Sequence, residues 1–161
     1  MTTKLVVLSD THMPRGRRGL PQKLNEALER ADMIVHLGDF TEIEVVHQLQ
    51  RFAPLVAVAG NNDSAEVRVL FPYRRKLEIA GKQLVLIHGH REGRTALQAA
   101  RSIAQGDAVL FGHSHSAYSS VEDGRLLFNP GSPTERRWSA TLSFGLIEVG
   151  EELSARIVTL P

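Results

Sequence analysis

The stretch Leu5-Val6-Val7-Leu8-Ser9-Asp10-Thr11-His12 decides how this chain folds. Its first four residues are apolar and rich in Val and Leu, which is typical of a buried β-strand, and the polar residues after them predict a loop. Because side chains alternate along an extended chain, Asp10 and His12 are expected on the same side of it. A carboxylate and an imidazole would then face one point, which is half of a metal site.

Short apolar runs followed by polar residues recur along the rest of the chain. The polar stretches are Gly38-Asp39, Gly60-Asn61-Asn62-Asp63, His88-Gly89-His90 and Gly112-His113-Ser114-His115. An isolated Asp-x-His is more simply explained by a turn and a solvated histidine. The repetition favours a metal site, because several loops would otherwise have to carry ligand-type residues by chance.

Length and composition indicate an ordinary globular protein. The 161 residues suit a single domain over residues 1–161, with 42% apolar and 23% charged residues. The chain has no cysteine, which excludes disulfides and thiolate metal sites. No signal peptide or membrane-length apolar run is recognisable, so we expect a cytoplasmic protein without membrane contact. A net charge of +1 predicts no extended nucleic-acid surface.

The first half of the chain alternates strands and helices. Strands are predicted at residues 5–8, 33–37 and 55–59, and helices after Pro21 and after Thr41. Thr41 and Glu44 have the spacing of a capping box for the second helix. This alternation favours right-handed crossovers and a mainly parallel sheet with its functional residues at the carboxyl ends of the strands.

The second half is richer in hairpins. Residues 75–79 and 83–87 predict one hairpin, and the Asp123-Gly124 turn predicts another. A helix is expected at 96–104, a strand at 108–111 and a closing antiparallel pair at 143–149 and 155–160. We therefore expect an α/β fold of two packed mixed β-sheets flanked by helices, the first sheet leaning to parallel pairing and the second to antiparallel pairing.

The polar stretches supply imidazoles, carboxylates and an amide but no sulfur. This donor set favours Mn, Fe, Zn, Co or Ni, and it exceeds what one tetrahedral ion needs. We therefore predict two divalent ions that share one carboxylate, and Asp39 is the predicted bridge because it lies midway in the chain order. The predicted ligands are Asp10, His12, Asp39, Asn61, His88, His113 and His115. Two ions ~3.5–4 Å apart can activate a bridging water for in-line attack on a phosphate ester.

With these motifs the chain resembles the calcineurin-like metallophosphoesterase superfamily, and in particular its small single-domain prokaryotic phosphodiesterases. The resemblance extends from Asp10-Thr11-His12 to Asn129-Pro130-Gly131-Ser132, a turn that it places beside the metals. It implies a four-layer sandwich and a dinuclear enzyme, usually with manganese, that hydrolyses small phosphodiesters through a hydroxide bridging the ions. The implied ligand sets are Asp10, His12, Asp39 and His115 for one ion, and Asp39, Asn61, His88 and His113 for the other.

One position departs from the family pattern. Many members have, directly after the metal-binding Asn, a His that assists the leaving group, whereas this chain has Asn62. An amide can bind a phosphoryl oxygen but cannot donate a proton near neutral pH. We therefore expect a slow enzyme for diesters with good leaving groups, such as aryl or cyclic-nucleotide diesters. By the same resemblance, Asp63 orients His or Asn ligands.

Several residues outside the ligand set are candidate contacts of the substrate. Arg15, in a basic loop, and Arg136, near the single Trp, could bind phosphate, or they could be solvated surface residues. His90 could meet the substrate and partly replace the missing acid, or it could lie in solvent. The predicted catalytic residues are Asp39, Asn61, Asn62 and His90, and the predicted substrate contacts are Arg15, Arg136, Asn62 and His90.

Three functions are compatible with this sequence. A metal-dependent phosphoric diester hydrolase is favoured, because every residue of the two ligand sets is present. The second is a protein-binding scaffold, since a retromer subunit with this fold uses it for protein interaction. The third is a nuclease acting on short oligonucleotide ends held by Arg15, Arg17 and Arg18. An assembly of identical subunits is compatible with each of them.

Overall fold

The structure is a computed structural model that describes residues 1–12 and 19–161. In these residues the strands are β1 (Thr3–Leu8), β2 (Met33–His36), β3 (Leu55–Ala57), β4 (Arg74–Ile79), β5 (Lys82–Ile87), β6 (Ala108–Leu110), β7 (Tyr118–Glu122), β8 (Arg125–Asn129), β9 (Leu142–Val149) and β10 (Leu153–Leu160). The helices are α1 (Gln22–Glu29), α2 (Ile43–Gln50), α3 (Ala65–Leu70) and α4 (Ala96–Ser102). Within the described part of the chain, no helix is long and apolar enough to cross a membrane.

The strands form two five-stranded sheets, with the orders β10-β9-β1-β2-β3 and β4-β5-β6-β8-β7. In the first sheet β1, β2 and β3 are parallel, and β9 and β10 are antiparallel to their neighbours. In the second sheet β5, β6 and β8 are parallel, and β4 and β7 pair antiparallel at the edges. Two mixed sheets were predicted and are confirmed. The expected contrast between a parallel-leaning and an antiparallel-leaning sheet is wrong, because β9 and β10 return to pair beside β1.

Three apolar clusters stack these elements in four layers. One cluster joins α1, α2 and α3 to the outer face of the first sheet, with Leu24 and Val46 among its buried residues. The second fills the space between the sheets and includes Val7, Leu86 and Phe128. The third packs α4 on the outer face of the second sheet. The predicted sandwich of two sheets flanked by helices is confirmed.

The last four residues of strand β1, residues 5–8, are all apolar because both faces of the strand are covered there. Val6 and Leu8 belong to the cluster beneath the helices, whereas Leu5 and Val7 belong to the cluster between the sheets. A strand buried on both faces has no solvent-exposed face, so its sequence does not alternate between apolar and polar residues. The uninterrupted apolar run therefore marks β1 as a central strand.

The start of α2 differs from the prediction. The helix begins at Ile43, after Glu42, and no side chain of the described residues caps it. Thr41 has a φ of 82°, and its amide N–H donates to the carboxylate of Asp63 at 2.9 Å. Thr41 therefore belongs to the loop after β2 and not to a capping box.

Helix caps do occur at two other places. A complete capping box joins Thr95 and Gln98 at the start of α4. Ser64 accepts a hydrogen bond from the amide of Val67 and begins α3, a short helix that the apolar pattern did not predict. Because α3 has only six residues, it offers too few positions for a helical period to be recognised.

Candidate metal centre

The loops after parallel strands of both sheets meet at one edge of the sandwich. The predicted ligands on these loops are Asp10 and His12 after β1, Asp39 after β2, His88 after β5, and His113 and His115 after β6. The loops are tied to one another through the main chain: the amide of Asp10 donates to the carbonyl of Gly38 at 2.9 Å, and that of Gly112 donates to His88 at 3.0 Å. The topology therefore brings residues from distant parts of the chain to one place.

Two groups of buried side chains converge at this edge. One consists of Asp10, His12 and His115 and the other of Asp10, Asp39 and His88, and within each group the candidate ligand atoms lie within 4.8 Å of one another. Asp10 Oδ1 is 3.5 Å from His115 Nε2 and 3.7 Å from His12 Nε2 and from His88 Nε2. Asp39 Oδ2 is 3.4 Å from the Nε2 atoms of His12 and His88. Each carboxylate thus stands between imidazoles of different loops.

Several buried polar atoms at this edge have no hydrogen-bond partner in residues 1–12 and 19–161, which is what side chains that bind a metal ion would show. Asp10 Oδ1, His12 Nε2 and His115 Nε2 are buried and have no such partner among the described residues. A buried polar atom is costly unless something compensates for its lost hydration, and an ion does so. Carboxylate oxygen and imidazole nitrogen are donors that divalent first-row metals accept. The chemistry of the donor set therefore suits such a metal.

Main-chain carbonyls hold the opposite nitrogens of two imidazoles. His88 Nδ1 donates to the carbonyl of Leu37 at 2.7 Å, and His115 Nδ1 donates to that of Glu135 at 3.0 Å. A proton held on Nδ1 leaves the lone pair on Nε2, which is the arrangement expected of a metal-ligating histidine. His113 is turned the other way, with its Nδ1 atom 3.2 Å from His88 Nε2. His113 therefore presents Nδ1 to the pocket.

The buried carboxylates create a field that favours a cation. Burial alone would raise the pKa of Asp10, but His88 and the other nearby imidazoles outweigh burial and lower it. Burial would likewise lower the pKa of His88, yet the charges of Asp10 and Asp39 raise it to about 9. The field that holds a proton on His88 also attracts a metal ion, so metal binding competes with that proton.

Several ligand-bearing turns have backbone in the left-handed region. The φ values are 57° at Asp10, 45° at His12, 63° at Asp39, 70° at His113 and 62° at His115. Residues with a Cβ rarely adopt this conformation, and its concentration at one site is typical of functional turns. Asp10 and His12 do face one point, but through these turns and not through the extended chain that the sequence predicted.

Two glycines of the motifs allow the loops to approach closely. A Cβ atom on Gly60 would overlap the Asp39 side chain and lie 2.6 Å from its amide nitrogen. A Cβ atom on Gly112 would overlap the hydroxyl of Ser9. These two positions accept no side chain without movement of the ligand loops. Glycine here sets the spacing between the loops.

Asn62 contacts the predicted bridging carboxylate. Its main-chain amide donates to Asp39 Oδ1 at 2.8 Å, and its side-chain Nδ2 donates to Asp39 Oδ2 at 3.0 Å. Asn61 is exposed in the turn after β3, and its role as a metal ligand stays a prediction. Asn62 is exposed as well, which leaves it accessible to a substrate.

Asp63 supports the loop that carries Asp39. Its carboxylate accepts hydrogen bonds from the main-chain amides of Asp39 at 2.9 Å, Gly60 at 2.7 Å and Thr41 at 2.9 Å. These bonds join the loop after β2 to the loop after β3. Asp63 therefore acts through the main chain on the loop that carries Asp39, and its implied effect on His or Asn ligands stays a prediction.

His90 lies beside the pocket with two residues that the sequence did not indicate. Its ring centroid is 5.3 Å from that of His88 and 5.4 Å from that of Tyr73, and the Arg91 guanidinium carbon lies 4.5 Å from the centre of the Tyr73 ring. Burial and the neighbouring imidazoles lower the pKa of His90 to about 4. The role of His90 as a proton donor stays a prediction. The only local signal for Arg91 is its position directly after the His88-Gly89-His90 motif.

The end of β8 and the turn after it are hydrogen-bonded to two of the ligand loops. Asn129 Nδ2 donates to the carbonyl of Gly112 at 3.1 Å and to the hydroxyl of Ser114 at 3.0 Å. The Ser132 hydroxyl donates to the carbonyl of Asp10 at 2.8 Å. Arg136 is exposed on the segment that follows, whereas Arg15 lies outside the described residues.

His36 and His47 lie outside the two groups of candidate ligands. His36 is buried in β2, where its Nδ1 accepts a hydrogen bond from the amide of Gly38 at 3.1 Å and its ring stacks on Phe40. Burial lowers the pKa of His36 to about 3. His47 is exposed on α2.

Comparison with known sequences agrees with this geometry. The family model of the calcineurin-like phosphoesterase superfamily domain matches residues 3–152. A probable metallophosphoesterase of Methanothermobacter thermautotrophicus is 32% identical over 155 residues, which cover 94% of this chain and 90% of the relative. A phosphodiesterase of Methanocaldococcus jannaschii is 26% identical over 142 residues, which cover 80% of this chain and 82% of the relative.

Comparison with solved structures shows the same fold. Vacuolar protein sorting 29 from Cryptosporidium parvum superposes with a TM-score of 0.81 at 20% identity, covering 99% of this chain and 98% of that one. Identity at this level bears on the fold alone. From the match over residues 3–152, the chain belongs to the calcineurin-like phosphoesterase superfamily, a metal-dependent family. The two groups of Asp and His side chains are where this member could hold metal.

Proposed function

We propose that the protein is a phosphodiesterase that hydrolyses small phosphodiesters at a centre of two divalent metal ions. The observation that carries this proposal is the convergence of unpaired, buried Asp10 Oδ1, His12 Nε2 and His115 Nε2 at the carboxyl ends of parallel strands. Relatives named metallophosphoesterase and phosphodiesterase support the reaction class.

Asp39 is our candidate for the shared ligand. Its Oδ2 atom lies 3.4 Å from the Nε2 atoms of both His12 and His88, which belong to different proposed sites. Asp10 is common to both groups of buried side chains, and we assign it to the ion of His115, the imidazole nearest to its Oδ1 at 3.5 Å. The proposed sets are Asp10, His12, Asp39 and His115 for one ion, and Asp39, Asn61, His88 and His113 for the other. Manganese is our first choice, and Fe, Zn, Ni and Co accept the same donors.

Ions bound there would polarise a phosphoryl oxygen and lower the pKa of a water molecule. The chain itself supplies position and orientation. Asn62, exposed and hydrogen-bonded to Asp39, is placed to donate to a phosphoryl oxygen, but its amide cannot protonate a leaving group. We therefore propose aryl phosphodiesters and strained cyclic nucleotides as the substrate class, because their leaving groups depart without an acid.

Contacts with the rest of the substrate are proposed at the rim of the pocket. His90 adjoins His88, and Arg91 is exposed over the ring of Tyr73. Arg136 is exposed near the turn that contacts Asp10. A guanidinium group can hold a phosphate or carboxylate oxygen by paired hydrogen bonds, so Arg91 joins Arg136 and His90 as a candidate contact.

The test is metal-dependent turnover of bis(p-nitrophenyl) phosphate after removal of metal and addition of Mn, Fe, Zn, Ni or Co. We expect activity only with added ion and none in Asp39→Asn. Asp123→Asn is the matched control, because it makes the same change at another carboxylate with positive φ, in the hairpin turn between β7 and β8. Equal activity of Asp39→Asn and Asp123→Asn would contradict the proposed centre.

A protein-binding scaffold is the second candidate. The fold is shared with vacuolar protein sorting 29, and the apolar side chains of Trp138 and Val69 are 98% and 85% exposed and so accessible to a partner. A protein that binds two ions but hydrolyses neither aryl, cyclic-nucleotide nor dinucleotide diesters would favour this function. Turnover of dinucleotides alone would instead favour a nuclease acting on short ends.

A further inference from the structure

We propose that Glu135 is a positioning residue for two histidines of the metal centre, orienting His12 through its carboxylate and His115 through its main-chain carbonyl. This inference rests on the proposed function, because it concerns the same metal centre. The ligand motifs of the sequence do not include Glu135. It acts on the metal through the imidazoles and does not touch the substrate.

Two contacts of Glu135 carry the inference. Its main-chain carbonyl accepts a hydrogen bond from His115 Nδ1 at 3.0 Å. Its Oε2 atom faces His12 Nδ1 at 3.9 Å. His12 Nδ1 is itself buried without a hydrogen-bond partner in the described parts of the chain. Glu135 therefore faces both imidazoles on the side turned away from the ligand atoms.

The chemistry of imidazole gives these contacts their consequence. A neutral histidine can bind metal through Nε2 only when its proton is on Nδ1, and an acceptor at Nδ1 favours that tautomer. A metal ion at Nε2 makes the Nδ1 proton more acidic, which strengthens its attraction to a carboxylate. The Glu135 carboxylate thus stabilises the metal-ligating form of His12 and becomes its hydrogen-bond acceptor when an ion binds.

The turn that carries Glu135 is anchored to the ligand loop after β1. The Ser132 hydroxyl accepts hydrogen bonds from the amides of Thr134 at 3.3 Å and Glu135 at 3.0 Å, and it donates to the carbonyl of Asp10 at 2.8 Å. The Thr134 hydroxyl donates to the carbonyl of Thr11. The position of Glu135 is therefore defined by the same loop whose ligands it orients.

Arg137 holds the other oxygen of the carboxylate. Its Nε atom lies 3.5 Å from Glu135 Oε1, and the two side chains are 39% and 35% exposed. An ion pair this exposed adds little stability. The pair occupies Oε1, and the other oxygen, Oε2, faces His12.

The test compares metal affinity in Glu135→Ala, Glu135→Gln and the control Glu148→Ala, measured for Zn by competition with a chelator. Glu148 is an exposed residue of β9 that pairs with Lys4, away from the metal edge. We expect affinity to fall about 10–100-fold in Glu135→Ala. Glu135→Gln should lose less zinc affinity than Glu135→Ala, because its amide oxygen still accepts a hydrogen bond. Glu148→Ala should bind zinc as tightly as the parent protein. The main-chain carbonyl is kept in every variant, so the loss reports the carboxylate alone.

A second readout separates positioning from general stability. In the zinc-loaded protein, the His12 Nδ1–H should give a slowly exchanging NMR signal that is lost in Glu135→Ala, while unfolding of the metal-free variants stays unchanged. Equal zinc affinity of Glu135→Ala and Glu148→Ala, with the His12 signal retained, would overturn the inference and leave the metal centre standing. Failure of the parent protein to bind zinc would overturn the proposed function as well.

Discussion

At the residue scale, Asn62 is the side chain on which the proposed substrate class depends. It donates through both its main chain and its side chain to Asp39, so it is held beside the proposed shared ligand. Its amide cannot supply a proton, whereas an imidazole in the same position can. The identity of this one residue therefore bears on which leaving groups the enzyme can expel.

The substitution Asn62→His should increase the rate for diesters with poor leaving groups, such as alkyl phosphodiesters, by about 10²-fold or more, the usual contribution of a general acid. Hydrolysis of bis(p-nitrophenyl) phosphate should change little, because p-nitrophenolate needs no proton to depart. The measurement is kcat/KM for a series of diesters of graded leaving-group pKa. An equally steep dependence on leaving-group pKa in both proteins would refute this role of Asn62.

His36 provides a residue-scale prediction for stability. Burial lowers its pKa to about 3 in the folded protein, whereas an unfolded chain protonates histidine near its ordinary value of about 6.5. Between these values the unfolded state binds more protons, so stability is lost as the pH falls. At about pH 5 the loss from this residue is roughly 1–2 kcal/mol.

The substitution His36→Gln should remove this dependence. The variant loses the stacking on Phe40 and is expected to be less stable near neutral pH, but the difference from the parent protein should shrink toward about pH 5. Urea unfolding at several pH values measures both free energies. The other ionisable groups are the same in both proteins. If the free energies of unfolding of the two proteins differ by the same amount at every pH, His36 does not titrate as inferred.

At the element scale, the ligand loops are spaced by glycine. Gly60 follows the end of β3 and packs against Asp39, which follows β2, and Asp63 joins the two loops through main-chain hydrogen bonds. The two strands are parallel neighbours, so their carboxyl ends already lie side by side. The absence of a side chain at Gly60 is what allows the loops to touch.

The substitution Gly60→Ala should displace Asp39 and weaken metal binding, and it should destabilise the protein by about 1–3 kcal/mol, as overpacking does. Gly19→Ala is the control, because a Cβ atom there would meet no atom of residues 1–12 and 19–161 within 4 Å. Metal content after dialysis and urea unfolding are the two measurements. Full metal content in Gly60→Ala would mean that the loops tolerate a methyl group at this position.

At the scale of the whole molecule, the proposed centre joins the two sheets. Asp10, His12 and Asp39 follow strands of the first sheet, whereas His88 and His115 follow strands of the second. Each group of candidate ligands includes residues of both sheets. A bound ion would therefore cross-link the sheets at the edge where their loops meet, in addition to the apolar cluster between them.

Metal removal should consequently lower the stability of the entire fold. Ions that bind only the folded state stabilise it by about 2.7 kcal/mol per site at a free concentration 100 times Kd. Thermal unfolding of the metal-free protein should therefore occur at a lower temperature than that of the manganese-loaded protein, and Asp39→Asn should show a smaller shift than Asp123→Asn. Coincident unfolding with and without bound ions would contradict a cross-linking role.

Local features of the sequence were sufficient to predict the strands and the polar residues at their ends. The apolar run before Asp10 predicts a central strand because burial on both faces leaves only apolar residues, and that consequence is visible within a few positions. Two mixed sheets with helices outside follow from the order of strands, helices and hairpins. The motifs containing Asp39, His88 and His113 were recognisable because ligand residues directly follow these strands.

Only the tertiary structure decided how distant segments meet. The strands β9 and β10 could have paired with either sheet, and their pairing beside β1 depends on contacts that no local pattern records. Likewise, Ser132 donates to Asp10 across 122 positions of the chain, and this contact brings Glu135 to two ligand histidines. The sequence by itself determined that residues with metal-binding side chains directly follow the strands, because side-chain chemistry and strand periodicity are local properties. Which residues orient those ligands was decided by packing, because such partners come together only when the whole chain is folded.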